Sequence, residues 1–169
     1  MTSSIPPGFE QILGTEPESK PMRILAIDPG TNCGWATSGG DTIISGTWNL
    51  KGGRFEGAGM RFVRLRKLLD EFGPLDRIVF EEVRAHRGTD AAHIYGGIIA
   101  VIMAWCEEHG TPYEGIPVGT IKKHATGKGN SKKDAMVAAA KQRWPDFDGD
   151  DNEADARWML DFVFEGEAK

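Results

Sequence analysis

Residues 23–30 read Arg-Ile-Leu-Ala-Ile-Asp-Pro-Gly. Four apolar residues closed by a carboxylate and a Pro-Gly turn describe a buried strand that ends on an acid, Asp28. A second run has the same form. Asp76-Arg-Ile-Val-Phe-Glu81-Glu82-Val83 is apolar in its middle and runs into two glutamates. Between these runs, residues 34–37 and 42–50 read as two further strands. The Ser38-Gly-Gly-Asp41 link between them suits a hairpin turn. A helix with Phe62, Leu65, Leu69 and Phe72 on one face follows, and Gly73-Pro74 stops it.

Residues 89–109 read as a helix that is apolar nearly all round, with Gly110 at its C-terminal cap. Residues 113–116 form a short strand. Ser131 is expected to cap a helix over 131–143, and a last helix is expected from about residue 151 to 162. The predicted order is β-β-β-α-β-α-β-α-α. It gives an α/β protein with a mixed sheet and helices packed on it.

The chain has 169 residues, which suits one domain. Residues 1–21 are polar and carry Pro6, Pro7, Pro17 and Pro21. They are read as a flexible leader before a domain over 22–165, with 166–169 as a tail. No apolar signal-peptide core opens the chain. The most apolar stretch, residues 91–106, is shorter than the roughly 20 residues of a membrane span and contains Gly96 and Gly97. No membrane partner is expected. Cys33 and Cys106 are far apart, with no CxxC pair, so zinc-thiolate and disulfide scaffolds are excluded as organising features. A reducing cytoplasm is the expected setting.

The net charge is −5, which on its own speaks against a general nucleic-acid coat. Its distribution says more. Between Thr120 and Arg143 seven basic residues stand against one acid, Asp134; from Trp144 onward nine acids stand against Arg157 and Lys169. A basic surface beside an acidic cluster suits a metal-dependent phosphodiesterase.

A lone acid at a strand end is most often a solvated one. Two strands that both end this way are harder to dismiss. Carboxylates near low-dielectric surroundings need opposite charge, and a divalent cation with oxygen ligands supplies it. Strand alternation forbids Glu81 and Glu82 from serving one site together, and the residue pattern leaves the choice open. In Asp150-Asp151-Asn152-Glu153-Ala154-Asp155, a helix puts Asp151 on the face of Asp155, and Asn152 there too.

Three strings together resemble the RuvC-type Holliday-junction resolvases of the RNase H-like nucleases. Ile24-Leu-Ala-Ile-Asp28-Pro-Gly-Thr-Asn-Cys-Gly-Trp-Ala36 is similar to their first motif, Val79-Phe-Glu81-Glu-Val83 to their second, and Asn152-Glu-Ala-Asp155-Ala156 to their C-terminal acidic helix. The resemblance covers about residues 23–163 in the family's order. It implies an RNase H-like mixed five-stranded sheet flanked by helices. It implies two Mg²⁺ ions, replaceable by Mn²⁺, held by Asp28, Glu81, Asp155 and a fourth ligand. The family's usual acid or His three residues before the last acid is Asn152 here, so Asp151 is taken as the fourth ligand, with Asn152 and Asp150 as alternatives.

Lys122 and Lys133 fall where the family places basic residues near the scissile phosphate, with Lys123 and Lys132 as neighbours. Arg84, His86 and Arg87 stand where the family often has a base-stacking aromatic, and a guanidinium also stacks on bases. The implied activity is symmetric cutting of four-way DNA junctions to 5′-phosphate and 3′-hydroxyl ends. The implied agent is a homodimer, and the small size and acidic pI suit a bacterial or phage-infected cell. The apolar helix over 89–109 independently suggests the dimer surface. Alternatives are a nuclease for other branched DNA or RNA–DNA hybrids, and a junction-binding module without catalysis.

Overall fold

The computed structural model describes residues 21–38, 42–84 and 88–167. Residues 1–20 of the expected leader and the hairpin tip at 39–41 lie outside them, as do His86, Arg87 and residues 168–169. The elements in chain order are β1 (Ile24–Asp28), β2 (Asn32–Ser38), β3 (Ile43–Asn49), α1 (Met60–Glu71), β4 (Arg77–Glu82), α2 (Thr89–His109), β5 (Tyr113–Pro117), α3 (Val118–Thr126), α4 (Lys133–Arg143) and α5 (Asp151–Glu167).

The strands form one sheet in the order β3-β2-β1-β4-β5. β1, β2 and β3 pair antiparallel; β1–β4 and β4–β5 pair parallel. This is the mixed five-stranded α/β sheet expected. Strand alternation divides the core into two layers. Leu25, Ile27, Ile78 and Phe80 pack under α1 and α2, with Leu65, Leu69, Ile98, Ile102 and Trp105. Ile24, Ala26 and Val79 pack under α3, α4 and α5, with Ile121, Met136, Ala140 and Met159. Asp28 continues the alternation of Ile24 and Ala26, and Glu81 that of Val79. Both acids therefore belong to the face covered by α3, α4 and α5.

Three expectations need correction. Val118–Thr126 is a helix that the sequence reading omitted. Ile121 is its one fully buried residue, and its apolar stripe of Val118, Ile121 and Ala125 is short. Its one clear signal is Gly127, which ends it at φ 78°. Ser131 does not cap α4. The helix starts at Lys133, and the Ser131 hydroxyl instead meets the Thr126 hydroxyl at 2.5 Å and the Lys128 carbonyl at 3.0 Å. The last helix runs on to Glu167, through the start of the expected tail.

At 21 residues α2 is long and apolar enough to cross a membrane by length and composition alone. Its Ile98, Ile102, Trp105 and Cys106 are buried against the sheet. A side-chain carbon at Gly97 would come within 2.3 Å of the Phe62 ring, so that glycine lets α1 lie close. Cys33 and Cys106 are both buried and unpaired.

Candidate functional site

β1 and β4 run parallel and end side by side, which brings their terminal acids together. Ile27 pairs with Phe80, so the next residue of each strand, Asp28 and Glu81, shares one level on one face. A cavity of about 270 Å³ opens there. Asp28, Pro29 and Glu81 form its floor, Lys122 enters from α3, Lys133 from α4, and Asn152 and Asp155 from α5.

The electrostatics are those of acids forced together in a dry place. Burial pushes the Asp28 carboxyl well above its usual range, and repulsion from Glu81 and Asp155 adds to the shift. Glu81 is also raised by burial, while a hydrogen bond with Asp28 and the charges of Lys122 and Lys133 pull it back. Asp155 is pushed up to about 7 by burial and then by Glu81. Its Oδ1 is buried and has no hydrogen-bond partner.

A donor set of hard carboxylate oxygens, one of them buried and unsatisfied, fits a divalent cation of the Mg²⁺ or Mn²⁺ kind. The three acids do not close on one point. Among the described residues, the trio whose ligand atoms all lie within 4.8 Å of one another is His124, Asp161 and Glu165; the Asp28–Glu81–Asp155 set is wider.

The His124 cluster is accounted for without an ion. One Asp161 oxygen meets His124 Nε2 at 2.9 Å, and the other accepts from Arg143 at 3.3 Å. The imidazole stands edge-on to Trp158 and Phe162. This network ties α3 and α4 to α5 and so holds Lys122 and Lys133 over the acids.

The first turn of α5 is docked with comparable care. Thr47 donates to Asp150 Oδ1 at 2.7 Å, and the Glu153 N–H donates to the same oxygen at 2.9 Å. Ser45 donates to Glu153 Oε1 at 2.7 Å. Gly34 lies directly beneath: a side-chain carbon there would sit 1.9 Å from the Asn152 carbonyl oxygen. Gly34, Ser45 and Thr47 were not recognised from the sequence as parts of the site. Gly34 did carry a signal, since a glycine inside a strand marks close backbone approach.

The remaining candidates fall as follows. Glu81 is buried in the cavity, while Glu82 leans outward, 3.6 Å from Arg84. Asp150 is the N-terminal cap of α5, its carboxylate already engaged. Asp151 forms an ion pair with Lys133 at the rim, and it is Asn152 that lines the cavity. Lys123 and Lys132 are exposed, with Lys123 in a groove beside Pro117, Thr120 and Phe162. Arg84 borders a second groove with Pro117, Val118 and Gly119. His86 and Arg87 lie outside the described residues.

Comparison with solved structures agrees with the fold. A Thermus thermophilus RuvC structure superposes with a TM-score of 0.62 at 20% identity, over 86% of this chain and 97% of that one. The fold is that of the RuvC resolvases. T. thermophilus RuvC in complex with Holliday junction substrate matches at 0.64 and 21% identity, over 82% of this chain and 90% of that one. The yeast mitochondrial Holliday junction resolvase Ydc2 matches at 0.55 and 14%, over 82% and 77%. No family model and no curated protein sequence matches the chain. At these identities the solved structures establish likeness of fold.

Proposed function

We propose that the chain is a metal-dependent endodeoxyribonuclease that resolves four-way DNA junctions. One observation carries the reading: Asp28, Glu81 and Asp155, from three distant parts of the sequence, line one cavity beneath Lys122 and Lys133. The RuvC fold and the junction complex of its T. thermophilus neighbour support the substrate.

Asp28, Glu81 and Asp155 would hold the cations, with Asn152 offering a neutral amide oxygen. Asp151 would join only by giving up Lys133. When bound, two Mg²⁺ ions would lower the pKa of the attacking water and offset charge on the scissile phosphate and its leaving oxygen. The protein supplies the rest. Lys122 and Lys133 place ammonium charge over the cavity, where negative charge develops on the phosphate. Buried Met136 in the lining, and the burial of Asp28 and Glu81 themselves, keep those charges strong. Hydrolysis would leave 5′-phosphate and 3′-hydroxyl ends. Arg84, Lys123 and Lys132 line or border the approaches and would carry the DNA backbone, with His86 and Arg87 following Arg84 in the chain.

We assign the dimer contact to α2. Phe62 and Val63 of α1 with Ala100, Val101 and Ala104 of α2 line an open apolar groove of about 500 Å³. Two copies joined there would present two cavities to the two strands of a junction.

The test is cleavage of a four-way junction, a linear duplex, a flap and an RNA–DNA hybrid, with Mg²⁺ and with EDTA. Paired symmetric cuts in the junction, absent in EDTA, are expected. Preferred cutting of the hybrid or flap would keep the nuclease and replace its substrate. Junction binding without any cutting would leave only a binding module.

The pKa shifts add a second prediction. An acid raised on folding holds its proton longer in the folded chain, so its contribution to stability is lost as pH climbs from the unfolded value near 4. For Asp155 the loss runs to about pH 7. A bound cation removes that penalty. Mg²⁺ should therefore raise the melting temperature clearly at pH 8 and little at pH 5. Equal effects at both pH values would contradict the assignment of the ion to these acids.

A further inference from the structure

We propose that Tyr95 is a positioning residue that fixes the end of β4 and thereby the aim of the Glu81 carboxylate. The inference rests on the nuclease reading above. The Tyr95 hydroxyl donates to the Glu81 carbonyl at 2.9 Å and accepts from the Val83 N–H at 3.1 Å. One phenol thus clasps the backbone on both sides of Glu82.

The reason these two groups need a clasp lies in the sheet. Ile78 donates its N–H toward β5, to the Pro112 carbonyl at 2.9 Å. Backbone groups alternate sides along a strand, so those of residues 79, 81 and 83 face β1. Pairing with β1 ends at Ile27↔Phe80. One step further, a continued parallel ladder would need an N–H from residue 29 to reach the Glu81 carbonyl. That residue is Pro29, which has no N–H.

The turn that carries Asp28 therefore leaves the strand beneath Glu81 without its partner. Tyr95, delivered by the first turns of α2, replaces the missing rung. It also joins the helix under the opposite face of the sheet to the acids of the cavity. With the ladder closed, the Glu81 carboxylate keeps its hydrogen bond with Asp28. Without the hydroxyl, the last residues of β4 are free to drift toward solvent, and small displacements at such a site cost rate rather than binding.

The experiment is Tyr95→Phe, assayed on the four-way junction, with Ile98→Val on the same helix as a packing control. Tyr95→Phe should lower the single-turnover cleavage rate by roughly 10- to 100-fold. Junction affinity measured in Ca²⁺ should stay within about twofold, and the Mg²⁺ concentration for half-maximal rate should rise. Exchange of the Val83 amide should quicken while amides in the middle of β4 keep their protection. Ile98→Val should lose stability and keep its rate. If wild type cuts and Tyr95→Phe cuts at the same rate, the inference is overturned and the nuclease reading stands. If Ile98→Val slows cleavage as much, the effect is general loosening and the inference is again overturned. If wild type neither cuts nor binds a divalent ion, the nuclease reading fails and takes this inference with it.

Discussion

Asp28→Asn is expected to lower junction cleavage by on the order of 10³-fold and, in the absence of metal, to make the protein more stable. The two effects have one origin. Asp28 is buried beside Glu81 and Asp155, and both neighbours push its pKa upward. At pH 8 the metal-free site must either ionise in repulsive company or hold a proton against the solvent. An amide of the same shape is spared that cost. It keeps a hydrogen bond with Glu81 and gives up the oxygen charge a cation needs. The melting temperature in EDTA at pH 8 should rise by about 3 °C or more, since roughly 1 kcal/mol moves a chain of this size by about 2–4 °C. The rise from added Mg²⁺ should vanish.

Asp161→Asn supplies the contrast. Asp161 is also buried, but it is held by His124 and Arg143, so its loss should destabilise by about 1–3 kcal/mol. Two buried aspartates should thus respond in opposite directions. If Asp28→Asn instead lowers the melting temperature as Asp161→Asn does, the cavity is not a site of stored repulsion. The metal assignment then loses its physical basis.

Parts of this site were legible in the sequence for a simple reason. An acid that closes an apolar run is visible without knowing what the run packs against, so Asp28 and the Glu81–Glu82 pair stood out. Choosing Glu81 over Glu82 needed either a family resemblance or the register Ile27↔Phe80, and register is a long-range property that residue patterns do not encode. The fourth position shows the same limit. Asp151 and Asn152 both share a helical face with Asp155 within the tolerance of a 3.6-residue turn. Which of them enters the cavity depends on how α5 is rotated on the sheet, and Gly34, Ser45 and Thr47 set that rotation. Helix α3 was missed because it is short: over nine residues its apolar stripe is only Val118, Ile121 and Ala125, interrupted by Gly119 and two lysines. Lys122 was therefore named as a basic residue near the phosphate before anything showed what carries it.

That dependence on one close approach makes Gly34 the position where the least added matter should do the most damage. A methyl group placed there meets backbone, not a side chain that can swing away. It would lie 1.9 Å from the Asn152 oxygen, 2.4 Å from its carbonyl carbon and 3.1 Å from the Glu153 nitrogen. Ordinary contact begins at about 3.4 Å, so Gly34→Ala forces an opening of about 1.5 Å between β2 and the first turn of α5. The strand has little room to yield, because Gly34 is paired with Asp28 on one side and Thr47 on the other. The helix must move, and Asn152 and Asp155 move with it, away from Asp28 and Glu81.

Overpacking of this kind costs about 1–3 kcal/mol, which a domain of this size can survive folded. A displacement of more than 1 Å at the reacting centre costs on the order of 10²-fold in rate. Gly34→Ala should therefore remain folded by circular dichroism, melt several degrees lower, and cut junctions at least 10²-fold more slowly while still binding them. Gly166→Ala, where an added carbon meets nothing within 4 Å, should change neither property. A Gly34→Ala protein that cuts at the wild-type rate would show that α5 can leave its seat without consequence. Asp155 would then have no part in holding the ions.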